Sequence, residues 1–252
     1  MTPASDWPAS LLLVRHAESL GNVARAAADR AGAATIDITE RDMDVDLSER
    51  GERQAAALGD WLTRLEAPPT VALTSPYVRT RRTAELALRA AGLHDVELSC
   101  DERLREREFG SFDRLTRRGL TERFPEEWEV RVRLGKFYHR PPGGESWCDV
   151  ALRVRSLLDS IGREYGGERV VVFTHEVVLL MFRYVLERLD EATILGIGRS
   201  ERLANCGVTA FEYDASLGRR GGMRLLCHNE PTALEEAGVP VTRERDAAVT
   251  PG

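Results

Sequence analysis

Apolar residues in this chain come in short dense runs, separated by longer stretches in which they recur every three or four positions. LLLV at 11–14, VAL at 71–73 and VVVF at 170–173 are nearly unbroken, the pattern of strands buried on both faces. They predict strands near 11–15, 70–74 and 169–174, and three further runs predict strands near 95–99, 207–213 and 223–228. The helical spacing predicts helices near 18–30, 48–65, 77–91, 146–165 and 175–189. Ser48 stands where an N-cap belongs, and Ser146 followed three residues later by Asp149 has the spacing of a capping box. Strands alternating with helices in this way predict an α/β fold: a three-layer sandwich with a mostly parallel central sheet flanked by helices.

Two segments interrupt the alternation. Residues 31–46 form a polar, acidic loop. Residues 106–145 are dense in Arg and Glu, carry scattered aromatics and end in the breaker PPGGES; they read as a helical insertion packed over the site. Beyond 231 no periodicity remains, and a poorly ordered tail is expected over 231–252. The expected organisation is therefore one domain over 1–230 with an insertion at about 106–145. A chain of 252 residues has material for one full core.

Composition narrows the function classes. Charged residues make up 30% and the formal net charge is −6, which argues against a nucleic-acid or membrane-surface protein. Lys136 is the sole lysine among 35 basic residues. Cys100, Cys148, Cys206 and Cys227 show no paired spacing, so a reduced, cytoplasmic setting is expected rather than a disulfide scaffold or zinc site. The five histidines show no ligand spacing with carboxylates or cysteines, so neither a metal nor another cofactor is expected.

Candidate chemistry lies where the strands stop. LLLV runs directly into Arg15-His16, and VVVFT runs into His175. Ligands of open α/β sheets bind beyond the carboxyl ends of the strands. The segment TSPYVRTRRT places Arg79 and Arg82 near a third such end. Arginine forks and helix N-termini both suit phosphate oxygens. Any one of these residues alone reads as a solvated loop or helix face; Arg81, Arg82 and Arg89 fit that description. Taken together they indicate a phosphate-binding α/β enzyme.

RHAESLGN at 15–22 resembles the signature of the histidine phosphatase superfamily, the phosphoglycerate-mutase-like proteins. The resemblance continues in order through LSERGERQA (47–55), SPYVRTRRTAE (75–85), LREREFG (104–110), PPGGES (141–146), VVFTHE (171–176) and NCGVT (205–209). It implies that His16 is a nucleophile forming a phosphohistidine, and that Arg15, Arg79 and His175 clamp the phosphoryl oxygens with help from Asn22. It implies Glu106 as proton donor to the leaving oxygen, with Glu108 as the alternative. Three departures stand out: Ala17 and Glu176 replace the usual glycines after the two histidines, and Gly21 replaces the tryptophan that mutases carry before Asn22. The expected activity is hydrolysis of a small phosphorylated metabolite. A mutase and a weakly active regulatory member are the alternatives, and homodimerisation is left open. Lys136, Tyr138 and Arg140, just before the Pro-Gly breaker, are candidates for contacts to the substrate beyond its phosphate.

Overall fold

The computed structural model describes residues 6–244. Six strands form one sheet: β1 Ser10–Arg15, β2 Val71–Thr74, β3 Leu98–Cys100, β4 Arg169–Thr174, β5 Val208–Asp214 and β6 Gly222–Glu230, in the order β3-β2-β4-β1-β5-β6. The pairs β3-β2, β2-β4 and β4-β1 are parallel, while β5 runs antiparallel to β1 and β6 antiparallel to β5. The helices among the described residues are α1 Leu20–Ala31, α2 Glu49–Leu62, α3 Val78–Ala90, α4 Arg117–Arg123, α5 Pro125–Tyr138, α6 Trp147–Glu164, α7 Glu176–Leu186, α8 Glu191–Ser200 and α9 Thr232–Glu236. None of them is long and apolar enough to cross a membrane.

The unbroken apolar runs are explained by the two cores they serve. Alternate residues of a strand point to opposite faces. Val170 and Val172 of β4 pack with α6 and α7, whereas Val171 and Phe173 pack with α2 and α3. β1 divides likewise, with Leu11 and Leu13 on the first face and Val14 on the second. A polar residue at any of these positions would be stranded in one core or the other.

The structure departs from the sequence expectations in four places. The strand expected near 95–99 starts only at Leu98, because His94 and Asp95 form a turn before it. Helix α8 was not expected, since Ile194 is the one residue it buries and a single position makes no apolar face; Asp190 caps it by accepting from the Thr193 N–H at 2.8 Å. The insertion holds α4 and α5 over a small cluster of Phe109, Phe112, Leu115 and Leu120, and α5 is broken at Gly135, where φ is +78°.

The fourth departure corrects the expected disorder from 231 onward. Ala233 and Leu234 of α9 are buried against the α2–α3 core, and residues 239–244 return as a strap toward the carboxyl edge of the sheet. The Asn205 N–H donates to Thr242 O at 2.9 Å, and Gln54 Nε2 donates to Pro240 O and to Thr242 Oγ1. A strap held by individual hydrogen bonds has no repeating apolar face, which is why periodicity misses it. The rest of that expected tail, 245–252, lies outside the described residues.

Candidate active site

The register of the parallel strands sets the site. Arg15 pairs with Thr174, and Thr74 pairs with Phe173, so β1, β4 and β2 end side by side. His16 follows β1, His175 follows β4 as the N-cap residue of α7, and Arg79 is the second residue of α3. The side chains of Arg15, His16, Arg79 and His175 are all buried, which the sequence reading could expect only of a pocket floor. The His16 N–H donates to Thr174 O at 2.9 Å, tying the ends of β1 and β4 together.

The imidazole of His16 has an assigned proton. Its Nδ1 lies 2.7 Å from the Ala17 carbonyl, which can only accept, so Nδ1 carries the hydrogen. In the neutral ring Nε2 therefore holds the lone pair. The His16 and His175 rings stand 5.2 Å apart edge to face, and Tyr77 stands 5.1 Å beyond His175. His175 Nε2 meets Ser75 Oγ at 2.9 Å and Thr80 Oγ1 at 3.2 Å, which fixes the ring against the end of β2 and the first turn of α3. The Arg79 guanidinium lies 4.9 Å from the centre of the Tyr77 ring. Burial raises the Tyr77 hydroxyl above the ordinary phenol range; Asp42, Glu108 and Glu106 add to that effect and Arg79 opposes it.

Each clamp residue also has partners from the protein. Arg15 Nη1 donates to Leu203 O and Nη2 to the Glu244 carbonyl of the strap. Asn22 Nδ2 reaches the same carbonyl at 3.4 Å. Its Oδ1 completes a capping box with Ser19 at the start of α1 and accepts from Asn205 Nδ2 at 3.3 Å. Asn205 further donates to His16 O at 3.0 Å. Arg79 is bound by Asp42, through the backbone carbonyl and through the carboxylate at 3.2 Å. Sequence reasoning missed Asn205 and Asp42. The first lay within the quoted NCGVT without a role, and the second is one of several acids in a loop with no spacing to mark it.

Structure separates the two glutamates that the sequence left as alternatives. Glu106 is only 2% exposed, with Oε1 accepting from the Arg107 N–H at 2.6 Å. Glu108 is exposed and turns back on its own loop, accepting from the Phe109 and Gly110 N–H groups. Asp42 and Tyr77, which contact Arg79, also line a cavity of about 250 Å³ with Arg41, Arg107, Glu108 and Phe109, among others; Arg15, His16, Arg79, Glu106 and His175 are not part of its lining. Burial lowers the Arg107 guanidinium to about 10, with Arg131 adding to the effect. Its guanidinium rests 4.9 Å from the Phe109 ring.

The three substrate candidates of the insertion do not line this cavity. Lys136 Nζ sits 4.6 Å from the Trp147 ring, Arg140 pairs with Asp149, and Tyr138 is 56% exposed. Arg82 is also away from the clamp, paired with Asp46 and Glu52. Among the described residues no group of three or more His, Cys, Asp or Glu is placed to hold a metal ion.

With the geometry in place, a family model supplies the assignment: that of the histidine phosphatase superfamily, branch 1, matches residues 11–220. The chain belongs to this superfamily. A 2,3-bisphosphoglycerate-dependent phosphoglycerate mutase of Sinorhizobium fredii is 31% identical over 190 residues, covering 75% of this chain and 84% of that protein. A mutase of the same description from Gloeobacter violaceus is 32% identical over 209 residues, covering 82% and 87%. Among solved structures, a mycobacterial glucosyl-3-phosphoglycerate phosphatase in complex with VO3 matches with a TM-score of 0.66 at 23% identity, over 88% of this chain and 99% of that one. An alpha-ribazole phosphatase from Shigella flexneri matches at 0.67 with 19% identity, over 88% and 96%. Relatives in sequence carry mutase names and neighbours in fold carry phosphatase names, and the superfamily holds enzymes of both kinds.

Two of its departures from the superfamily pattern now have a structural description. Ala17 is not among the residues with positive φ, so replacing Gly there stores no backbone strain. Glu176 opens α7, where a negative charge is favoured, and its Oε2 lies 3.8 Å from Arg15 Nη2.

Proposed function

We propose that the chain hydrolyses small phosphomonoesters through a phosphohistidine on His16. The observation that carries this reading is the His16 ring itself, buried and 5.2 Å from the His175 ring, with Nδ1–H tied to the Ala17 carbonyl, which makes Nε2 the attacking atom. Nε2 would form a bond to phosphorus as the phosphorus–ester oxygen bond breaks, and Glu106 would give its proton to the departing oxygen. Water would then attack the phosphohistidine, with the Glu106 carboxylate taking its proton, and inorganic phosphate would leave. Charge spreading over the three phosphoryl oxygens would meet Arg15, Arg79, Asn22 and a protonated His175.

The cavity supports a leaving group of small-metabolite size. Its lining carries three arginines, Arg41, Arg107 and Arg114, and three acids, Asp42, Glu108 and Asp113, so it holds no surplus of positive charge. Tyr77 and Phe109 add flat apolar surface. A balanced lining with aromatic faces suits a neutral polyol or sugar better than a second anionic group. The mutase reading is favoured by the names of the sequence relatives. Gly21 in place of tryptophan, and the balanced lining, favour hydrolysis.

A panel of sugar phosphates, phosphoglycerates and nucleotides separates the two. Hydrolysis predicts phosphate release without 2,3-bisphosphoglycerate, whereas a mutase predicts phosphoglycerate isomerisation that depends on it. His16→Ala should abolish turnover while remaining folded, and base quenching of the wild type on labelled substrate should trap a base-stable, acid-labile phosphoenzyme. Excess EDTA should leave the rate unchanged, and vanadate should inhibit competitively. Activity surviving in His16→Ala, or a strict need for added Mg²⁺, overturns the reading.

A further inference from the structure

Residues 105–109 belong to no helix or strand, although they carry Glu106. They lie against the PPGGES segment, backbone to backbone. A Cβ on Gly110 would come within 2.2 Å of Pro142 O, and one on Gly144 within 2.7 Å of Glu108 O, so neither glycine accepts a side chain without displacing the other segment. The Ser111 N–H donates to Pro142 O at 3.0 Å across this contact.

Glu145 ties the two segments together. Its Oε1 accepts from Arg105 Nη2 at 2.6 Å and from Arg153 Nε at 3.0 Å. Its Oε2 accepts from the Glu108 N–H at 3.0 Å and from Arg153 Nη2 at 3.1 Å. The Glu145 N–H donates to Glu108 O at 2.9 Å, and its carbonyl accepts from Arg107 Nε at 2.6 Å. One residue thus bonds positions 105, 107 and 108, on both sides of the glutamate between them. Arg153, from α6, adds bonds to Arg103 O at 2.6 Å and Glu106 O at 3.3 Å. An exposed ion pair would contribute little. Here the side chains of Glu145 and Arg153 are only 14% and 9% exposed and meet as a fork on both carboxylate oxygens.

We propose that Glu145, braced by Arg153, is the positioning residue for Glu106, holding its loop so that the buried carboxyl faces the leaving oxygen. Glu145 itself touches no substrate. The proposal rests on the reading of Glu106 as proton donor. It also accounts for the PPGGES motif, whose glycines permit the close approach and whose glutamate makes the tie.

Glu145→Gln keeps the shape and weakens the charge-assisted bonds. Misplacement by about 1 Å can cost about 100-fold, so kcat on an alkyl phosphate should fall roughly 10- to 100-fold with KM little changed. The loss on p-nitrophenyl phosphate, whose phenolate departs without a proton, should be much smaller. The inhibition constant of vanadate, which reads the clamp, should match the wild type. In a Glu106→Gln background Glu145→Gln should cost little more, because both changes remove the same function. Amide hydrogen exchange over 105–109 should quicken in Glu145→Gln while α6 stays protected, and Arg153→Lys should repeat the whole pattern more weakly.

Equal losses on both esters, full additivity with Glu106→Gln, or unchanged exchange over 105–109 overturns the proposal. If Glu106→Gln itself fails to distinguish the two esters, the proton-donor reading falls instead. The exchange experiment then still decides whether Glu145 holds the loop.

Discussion

Glu106 and Glu108 sit two positions apart in a run of alternating charge, and the backbone treats them oppositely. One is buried and the other is spent on its own turn. General acid assistance contributes about 10² to 10⁴ in rate, so Glu106→Gln should slow alkyl phosphates by that order and p-nitrophenyl phosphate far less. Glu108→Gln, in the cavity lining, should not reproduce that difference between the two esters, as steady-state assays on both would show. Equal loss on both substrates for Glu106→Gln would assign it a structural role. The alternation RERE at 105–108 says nothing of which glutamate is buried, because exposure at a loop residue is set by what packs over the loop. Arg15, His16, Arg79 and His175 were legible for the opposite reason. Arg15 and His16 end and follow β1, His175 follows β4 and Arg79 lies in the first turn of the helix after β2, and in an α/β pattern such positions meet at the strand ends.

Helix α6 shows which element signals survive folding. Ser146 and Asp149 form the capping box that their spacing indicated, and Asp149 also receives Arg140. The Arg140 hydrogen bond, opposed by partial burial and helped by the Ser146 cap, lowers the Asp149 carboxyl from 3.8 to about 2. Because the folded value lies below the unfolded one, ionised Asp149 stabilises the fold above about pH 4, and that contribution fades as the pH falls toward 2. Asp149→Asn should cost about 1 kcal/mol near neutrality, the usual size of a cap. That corresponds to about 2–4 °C in Tm for a chain of this size. Thermal melts from pH 6 down to pH 2 should show the gap between wild type and variant closing. A gap that stays constant would place the effect in shape rather than charge. Capping boxes are legible because both partners lie within one turn of chain; α8 was not, because it buries only Ile194 and shows no periodic apolar face.

For the whole molecule, the strap from α9 back to the carboxyl edge joins the last described residues to the first strand end. Thr242 is 5% exposed, and its hydroxyl donates to Asn205 Oδ1 while accepting from Gln54 Nε2. Thr242→Val removes a hydroxyl shared by two buried groups, with an expected cost of about 1–3 kcal/mol. Denaturant titration at constant m-value would measure it, and a variant as stable as the wild type would show that the strap contributes nothing. The sequence by itself determined the layered α/β architecture, the strands that feed two cores, and the cationic residues at the strand ends. Each of these follows from local periodicity or from residues adjacent in the chain. Tertiary structure alone decided the His16 proton through the Ala17 carbonyl, and the contacts of Asp42, Asn205 and Glu244 with the clamp. It also decided which of Glu106 and Glu108 is buried, and the tie made by Glu145. Apart from the His16–Ala17 contact between chain neighbours, these join residues from 37 to 229 positions apart at one edge of the sheet. No local pattern encodes such a meeting; only packing the whole chain brings it about.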